Sequence, residues 1–249
     1  MVSYVQRYVG GNYEGVWEDL RRLGPIPDGL FEDCTAVARE TMQRVARHVS
    51  RLAEQLTDLG LVSDGPLLEP PTSGDHAELD LLAGEIGTFP IALDACLRYV
   101  GAVSFMGDCP ALDLWYQDSP APGQSCGSPG AGAAETPDPL VIRPVMCLGW
   151  AWDEYREQRE EDSALILDGF HFDFAPDELH KANISGATHQ ITLTERIADP
   201  VIWGVDGRPD ISLVDYLRLS ISWGGMPGWS FDPDHAPAAL AGLRVSPDF

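Results

Sequence analysis

The chain has 249 residues, of which 39 are Asp or Glu and 16 are Lys or Arg, so its formal net charge is −23. Such a surface repels phosphate backbones and anionic lipid headgroups, which argues against nucleic acid and membrane partners and favours a basic protein or a small cation. No apolar run reaches the roughly 18–20 residues of a membrane span, and the five cysteines lack CxxC spacing, so we expect reduced thiols and a cytoplasmic location.

The negative charge and the single lysine are unevenly placed along the chain. Residues 1–60 hold seven arginines against nine acidic residues, whereas residues 61–249 hold nine basic residues against 30 acidic ones. Lys181 is the only lysine beside 15 arginines, and it lies in the most strongly patterned stretch, Ala164–Gly186. We therefore expect a positively charged partner or substrate to meet the later part of the chain.

Two amphipathic helices are predicted near the N-terminus. Over residues 13–24 the apolar side chains follow three–four spacing, and from Ala38 to Leu59 they recur at intervals of four and three, with Gly60 as the stop. The second pattern is also that of a coiled-coil dimer, but no polar residue in its apolar seam would fix the register. We interpret residues 1–65 as an N-terminal helical segment that packs on the rest of the chain and is available to dock a partner subunit.

The middle of the chain alternates short helices and strands. Residues 61–77 are rich in Pro and Gly and predict a connector, and residues 117–139, which lack periodicity, predict a mobile surface loop. The remaining elements expected here are helices at Glu78–Ile86, from Pro90 to Gly101 and at Trp152–Asp162, and strands at Ala102–Met106 and Leu140–Met146. Leu148, Trp150 and Trp152 alternate, and they also fit an extension of the second strand.

The stretch around Lys181 combines a hairpin with a short helix. Asp168-Gly169 is a turn pair that joins the apolar run Leu165–Leu167 to Phe170–Phe174, in which every second residue is Phe. This period of two predicts a strand that buries the three Phe side chains on one face. Pro176 suits the first turn of a helix, and Lys181 falls near the far end of that helix.

The last third of the chain adds strands, one helix and a tail. The expected elements are strands at His189–Thr194 and Val201–Trp203, a helix capped by Ser212 and Asp215 and ended at Gly224-Gly225, and a loose tail over residues 230–249. Together with the preceding elements, this order predicts an α+β fold, in which a mixed or antiparallel sheet is packed by helices and a long N-terminal helical segment is added.

Two segments, Leu79–Phe105 and Ser212–Trp229, have an order of elements found in a known family. The first is similar to the opening, and the second to the closing helix, of the SUKH superfamily, the α+β domains of yeast cell-wall regulators and bacterial immunity proteins. The opening pattern is a helix that ends in Gly, a Pro that begins a second helix, and a Gly before the first strand; its places are taken by Gly87, Pro90, Leu97 and Gly101. The resemblance covers residues 78–229, with a long insertion at 107–139, and leaves residues 1–65 outside. It implies a protein-binding domain, since many members bind and neutralise protein toxins.

Four polar residues near the short helix form the candidate catalytic group. His171 and Asp173 are two apart on a predicted strand and therefore share a face, and His180 and Lys181 follow on the helix. In an enzyme this group would supply a general base, with Lys181 as the base or as an anion holder. The simpler interpretation is a polar strand face and charges that suit helix ends. No metal or other cofactor is expected, because His-x-Asp spacing supplies too few ligands.

A second set of residues is expected to contact a ligand or a partner. Asp177 and Glu178 are placed to line a pocket, or simply to favour the start of the short helix. Trp223, Met226 and Trp229 surround the Gly-Gly turn after the last helix, where aromatic side chains can wall a pocket or anchor a partner. Core filling is the alternative for Trp223, whereas Trp229 is the better candidate for a functional aromatic residue.

Two classes of function fit these patterns. The first, which we favour, is a non-catalytic module that binds or neutralises a basic protein, or docks a partner subunit. The second is an enzyme or enzyme subunit in natural-product biosynthesis that acts on a small cationic amine, for example by intramolecular amine displacement and ring closure. Such a reaction needs mainly positioning and a general base, so it would leave no strong sequence motif.

Overall fold

The computed structural model describes residues 2–87, 89–116, 137–161, 169–183, 186–193 and 195–249. Within these residues the chain forms eight α-helices and five short strands. The helices are α1 (Tyr4–Val9), α2 (Tyr13–Arg22), α3 (Asp28–Asp58), α4 (Ser73–Ile86), α5 (Ile91–Tyr99), α6 (Val145–Glu161), α7 (Glu178–Lys181) and α8 (Leu213–Ser222). The strands are β1 (Leu68–Glu69), β2 (Ala102–Ser104), β3 (Val141–Ile142), β4 (Phe170–Pro176) and β5 (Thr188–Leu193).

Two small antiparallel sheets organise the strands. The first has the order β1-β2-β3, and Val103 in its central strand pairs with both Leu68 and Ile142. The second consists of β4 and β5, with Phe170 opposite Leu193. The α+β fold expected from the order of elements is therefore confirmed, and its sheets are antiparallel.

The two predicted N-terminal helices form as α2 and α3, whereas α1 was not predicted and α3 is longer than expected. It begins at Asp28 rather than at Ala38, because Cys34 continues the buried stripe towards the N-terminus. Trp17 of α2 donates a hydrogen bond from Nε1 to Thr41 Oγ1 of α3 over 3.1 Å. Since α3 also packs against α5, the helical segment is fixed to the rest of the chain.

The connector at residues 61–77 contains regular structure that its composition did not predict. It holds β1 and the first turn of α4, which begins at Ser73 rather than at Glu78. The earlier start has a capping box as its cause: Thr72 Oγ1 accepts from the backbone N–H of Asp75, and the Asp75 carboxylate accepts from the backbone N–H of Thr72. Asp takes the place of the more common Glu in this box.

The region before α6 is helical over part of an expected strand. Only Val141–Ile142 of the predicted strand Leu140–Met146 pairs in a sheet, and α6 begins directly after Pro144. Proline cannot donate to a sheet ladder and is compatible with a helix start, so the strand stops there. Of the two interpretations of residues 148–152, the helix is the one that forms.

Other expected elements are shorter than predicted or fall outside the described residues. The strand Ala102–Met106 ends at Ser104, and Val201–Trp203 makes isolated bridges instead of a strand. The predictions that fall outside the described residues are those for residues 117–136 of the loop, Leu165–Leu167, Asp168 and Thr194. The last residues of the predicted loop are described, and Asp138 and Pro139 are buried. The end of that loop therefore belongs to the packed part of the protein.

The strand β4 shows the alternation that the sequence predicts. Phe170, Phe172 and Phe174 are buried on one face, whereas His171 is exposed and Asp173 is half-buried on the other face. Burying one such aromatic side chain contributes about 1.5–3 kcal/mol relative to leaving it in water. The three Phe side chains therefore anchor β4, and with it the start of α7, to the core.

One apolar core joins the three parts into which the sequence patterns divide the chain. Its members come from the N-terminal helices, from residues 78–229 and from residues 230–249. Leu240, Leu243 and Phe249 of the last segment are all buried. That segment is therefore packed rather than loose, although its irregular backbone gives it no period by which a sequence reveals burial.

Two further features concern membrane spans and cysteines. Among the described residues, no helix combines the length and the apolar character needed to cross a bilayer. The cysteines in the described part of the chain have free thiols; they are Cys34, Cys96, Cys109 and Cys147. Cys126 lies outside that part.

Replacing Phe249 by Ala should lower the free energy of unfolding by about 3–5 kcal/mol, because truncating a buried phenylalanine leaves a cavity. Phe231 lies in the same segment but is exposed, so Phe231→Ala is a matched control that should lose less than about 1 kcal/mol. Urea unfolding followed by circular dichroism measures both variants. Equally small losses would show that residues 230–249 do not pack on the core.

Candidate functional site

The single lysine is part of a buried polar cluster. Nζ of Lys181 lies 2.5 Å from Oδ1 of Asp138 and 3.3 Å from the hydroxyl oxygen of Tyr216. His189 places its Nε2 at 3.9 Å from the same carboxylate oxygen, and its Nδ1 lies 3.1 Å from the carbonyl oxygen of Gly204. We call Asp138, Lys181, His189 and Tyr216 the buried polar cluster, since all four side chains are shielded from solvent.

The cluster keeps a full ion pair inside the protein. Burial raises the pKa of Asp138, but Lys181 and His189 more than offset this effect, so that the pKa of Asp138 lies below its ordinary value. Burial lowers the pKa of Lys181, but the Asp138 charge more than offsets it, so that this pKa is raised. Burial also raises the pKa of Tyr216 to about 12. Lys181 is therefore held as an ammonium group, which cannot act as a general base.

Local backbone signals place Lys181 in the cluster. The Asp177 carboxylate caps the single turn of α7, where it accepts from the backbone N–H of His180 over 2.8 Å. After Lys181 the chain leaves the helix at Asn183, whose φ of 58° lies in the left-handed region that Asn tolerates. Tyr216 comes from α8 and His189 from β5, so the cluster joins α7 to both of these elements.

The four candidate catalytic residues do not share one environment. His171 is exposed, and its Nδ1 lies 3.0 Å from Oγ1 of Thr192 on the paired strand. The Asp173 carboxylate accepts hydrogen bonds from the side chains of Thr188 and Gln190, both on β5. His180 is exposed, whereas Lys181 beside it points into the buried polar cluster. Among the described residues, no group of three or more His, Cys, Asp or Glu side chains is arranged to hold a metal ion.

Asp177 caps the start of α7, and Glu178 follows it in the first turn. Asp177 is buried, and its two carboxylate oxygens accept from the backbone N–H groups of His180 and Ala187. Gly186 makes this contact possible, because a Cβ there would lie 2.1 Å from Oδ1 of Asp177. Burial raises the pKa of Glu178, and neighbouring carboxylates add to this effect. For Asp177 these contacts favour the simpler expectation, in which it supports the helix start, whereas the raised pKa of Glu178 shows surroundings that disfavour its charged form.

The candidate binding residues after α8 have three different environments. Met226 is completely buried, as a core residue is. Trp229 is also buried, and its Nε1 has no hydrogen-bond acceptor among the described residues. Trp223 is half-buried beneath Arg244, whose guanidinium carbon lies 3.8 Å from the indole ring centroid. The three side chains therefore do not form one exposed aromatic surface.

An exposed side of α6 combines large apolar and acidic residues, and the sequence patterns did not single it out. Trp150 is 63% exposed and Met146 is 51% exposed, and they lie one turn apart on the same side of the helix. The acidic residues that continue this side towards the end of the helix are Asp153, Glu154, Glu157 and Glu161, all exposed. We call Met146, Trp150 and these four acids the α6 outer face.

The opposite side of α6 is fixed to the body of the protein. Nε1 of Trp152 and Nη1 of Arg156 both donate to Oε2 of Glu85 on α4, over 2.8 and 2.9 Å. The rings of Trp152 and Tyr155 also pack on Phe170 of β4, with centroids 5.2 and 5.4 Å away. The α6 outer face is therefore presented on an anchored helix.

The α6 outer face can be predicted from the sequence only if residues 148–152 are assigned to a helix rather than to a strand. In a strand, Trp150 and Trp152 would point to the same side, and the acids that follow would be unrelated to them. In a helix, Trp150 falls one turn after Met146 and one turn before Glu154, while Trp152 turns to the other side. Pro144 as the helix start was the signal that would have selected the second pattern.

Two clefts open beside α8, and Asp215 lines both. The first has a volume of about 340 Å³ and contains Arg21 and Asp199. Nη1 of Arg21 lies 3.0 Å from the Asp199 carboxylate, 2.6 Å from Ser212 Oγ and 2.7 Å from the Asp215 carboxylate. Burial raises the pKa of Asp199 to about 6 despite this arginine. None of the residues predicted to form a site lines either cleft.

Comparisons with known proteins do not identify a family for this chain. No protein-family model, curated protein or solved structure matches it. The resemblance to the SUKH superfamily stays a prediction, and the proposed function is based on the contacts, burial and charges of the chain itself.

Replacing Lys181 by Met should lower the free energy of unfolding by about 3–5 kcal/mol, because it leaves the Asp138 carboxylate buried without its partner. The double variant Lys181→Met with Asp138→Asn removes that uncompensated charge and should recover part of the loss. Urea unfolding monitored by tryptophan fluorescence measures both variants. If Lys181→Met unfolds at the same urea concentration as the unmodified chain, the lysine does not hold the structure together.

Asp199 should make stability depend on pH. Burial raises its pKa in the folded protein to about 6 from an ordinary 3.8, so its stabilising contribution is fully present below about pH 4 and is lost as the pH rises through about 6. The free energy of unfolding should fall by about 3 kcal/mol over this pH range. Asp199→Asn cannot titrate, and it should gain stability relative to the unmodified chain between about pH 4 and pH 7. Parallel stability profiles for the two proteins in urea would contradict the raised pKa.

Proposed function

We propose that this chain is a non-catalytic protein-binding module that docks a basic protein partner on the α6 outer face. The observation that carries the proposal is the pair of large, exposed apolar side chains, Trp150 and Met146, surrounded by acidic residues. Tryptophan is among the residues that dominate binding energy in protein interfaces, and Trp150 differs from a single exposed side chain because Met146 lies beside it on the same side of the helix.

The charges on α6 favour a basic partner. Three of the four acids of the α6 outer face, Glu154, Glu157 and Glu161, have no arginine partner among the described residues. Arg156 pairs with Glu85 over 2.9 Å and lies 4.0 Å from the fourth acid, Asp153, while the Arg159 guanidinium lies 5.7 Å from the ring centroid of Tyr155. The net charge of −23 attracts a basic protein from a distance and raises the rate of encounter.

The anchoring of α6 supports a preformed docking surface. Trp152 and Tyr155 fix one side of the helix against β4 and α4, so the outer side does not have to be ordered when a partner binds. A surface that is already ordered loses less conformational entropy on association. Two apolar anchors within an acidic rim then suffice for a specific, salt-dependent contact.

The kind of basic partner and its cytoplasmic location are also part of this proposal. The SUKH-like order of elements supports it, since many members of that superfamily bind and neutralise protein toxins. A basic toxin and a basic partner subunit are the two kinds of partner that fit the acidic face, in a cytoplasmic setting. Both place their positive charge against the same four acids of α6.

The alternative, an enzyme that acts on a small cationic amine, has less support. It requires His171, Asp173, His180 and Lys181 to act together on one substrate. The lysine ammonium is instead paired with Asp138 inside the protein, while both histidines of this group are exposed on their own elements. No second candidate function is therefore advanced.

Replacing Trp150 by Ala should weaken binding of a synthetic helical peptide that has arginines on one face and leucines on the other. We expect a loss of about 2 kcal/mol or more, roughly 30-fold in Kd, because the indole is the largest apolar group on the docking face. Fluorescence anisotropy of the labelled peptide measures the affinity. Trp203→Ala is the matched control, because Trp203 is 52% exposed on a different part of the surface and its loss should leave Kd unchanged.

Charge-reversal variants distinguish the effect of acids on the α6 outer face from the effect of the net charge of the whole molecule. The variant Glu157→Lys with Glu161→Lys changes the net charge by the same amount as Glu54→Lys with Asp58→Lys, two exposed acids at the same spacing near the end of α3. The first pair should reduce the affinity and the salt dependence of peptide binding much more than the second pair does. Equal effects of the two pairs, or an unchanged affinity after Trp150→Ala, would rule out docking on α6.

A further inference from the structure

The second cleft beside α8 contains an arginine whose charge is not paired. Arg208 is partly buried, and no carboxylate among the described residues lies within ion-pair distance of it. The other arginines without an ion pair in that part of the chain are all exposed; they are Arg39, Arg47, Arg51, Arg159 and Arg244. In a chain with 39 acidic residues, an uncompensated and half-buried guanidinium is unusual. We call this second cleft beside α8 the Arg208 cleft.

Arg208 is held in place, but two of its N–H groups lack hydrogen-bond acceptors among the described residues. Its Nη2 donates to Oγ of Ser230 over 2.8 Å, and its guanidinium carbon lies 4.5 Å from the ring centroid of Phe231. Its Nε is buried without an acceptor among the described residues, and its Nη1 has no acceptor there either. The guanidinium is thus oriented by a hydroxyl and a ring, while its charge is left for an anion.

A second arginine lines the same cleft in a fixed position. Arg218 donates from Nε to the backbone oxygen of Phe249 over 2.7 Å and from Nη1 to Oδ1 of Asp215 over 2.8 Å. Its Nη2 is buried without an acceptor among the described residues. Asp215 also accepts from Arg21, so its charge is already shared by two arginines and does not compensate Arg208.

The rest of the cleft is suited to an apolar group. Its volume is about 480 Å³, which lies in the range of small-molecule sites. The apolar residues of its lining are Ile211, Leu219, Pro247 and Phe249. Glu14 adds a carboxylate, and the molecule as a whole is strongly negative, so a multiply charged phosphate would be repelled.

We propose that the Arg208 cleft binds a small organic carboxylate with an apolar tail. The carboxylate accepts from Nη1 of Arg208, beside Arg218, in a charge-assisted hydrogen bond of the kind that guanidinium groups favour. The tail packs against Leu219, Ile211 and Pro247. A single negative charge meets less repulsion from the acidic surface than a phosphate does. This site is separate from the α6 outer face, so either one can be tested without the other.

Isothermal titration calorimetry with sodium phenylacetate tests the proposal on the full chain. The unmodified protein should bind phenylacetate, and it should bind neither phenethylamine, which has an ammonium in place of the carboxylate, nor inorganic phosphate with comparable affinity. Arg208→Gln should raise Kd at least about tenfold, because it removes the charged donor. Arg244→Gln removes an arginine that is also stacked on an aromatic ring, but outside the cleft, and it should leave Kd unchanged.

A second variant leaves the buried contacts of the cleft intact. Ser246 is exposed at the cleft, so Ser246→Asp adds a repelling carboxylate there without disturbing the core, and Ser246→Asn is its uncharged control. Phenylacetate binding should weaken in the first variant only. The absence of binding to the unmodified chain, tighter binding of phosphate or phenethylamine, or equal affinities for both Ser246 variants would overturn the proposal.

Discussion

The ion pair between Lys181 and Asp138 determines what the centre of this protein can do. Through Tyr216 and His189 it connects α7 to α8 and β5, and through Asp138 to the segment that precedes β3. Removing one partner of a buried pair leaves a charge that the interior cannot solvate, so the arrangement tolerates little change. The only lysine of the chain is therefore part of the protein's internal structure and is not available to a substrate in solution.

The proposed function uses the surface, because the central charges are paired internally. Four exposed acidic residues of α6 accompany Trp150 and Met146 on the proposed docking face. Arg208 shows the reverse situation, a half-buried positive charge in a negative molecule with no carboxylate of the described residues within ion-pair distance. The same principle links the two sites: a charge that the fold orients but does not pair indicates where an external group of opposite charge binds.

The sequence predicts those features that repeat along a single element. The Phe alternation in β4 and the cap of α8 by Ser212 both follow from spacing. The partner of Lys181 does not follow, because Asp138 is 43 residues away and ends a stretch rich in Pro and Gly. The burial of Phe249 rests on contacts between distant segments, which no period reveals. The α6 outer face was hidden because an alternating run of Leu and Trp also fits a strand.

Hydrogen–deuterium exchange of the full chain, with and without the arginine-faced peptide, tests the central claim most directly. Docking on α6 predicts that the peptide slows exchange across Val145–Glu161 and leaves α7 and β4 unchanged, since the cluster around Lys181 is already closed. Slower exchange at α7 and β4, with α6 exchanging as it does in the free protein, would contradict the account and return the function to the neighbourhood of the lysine.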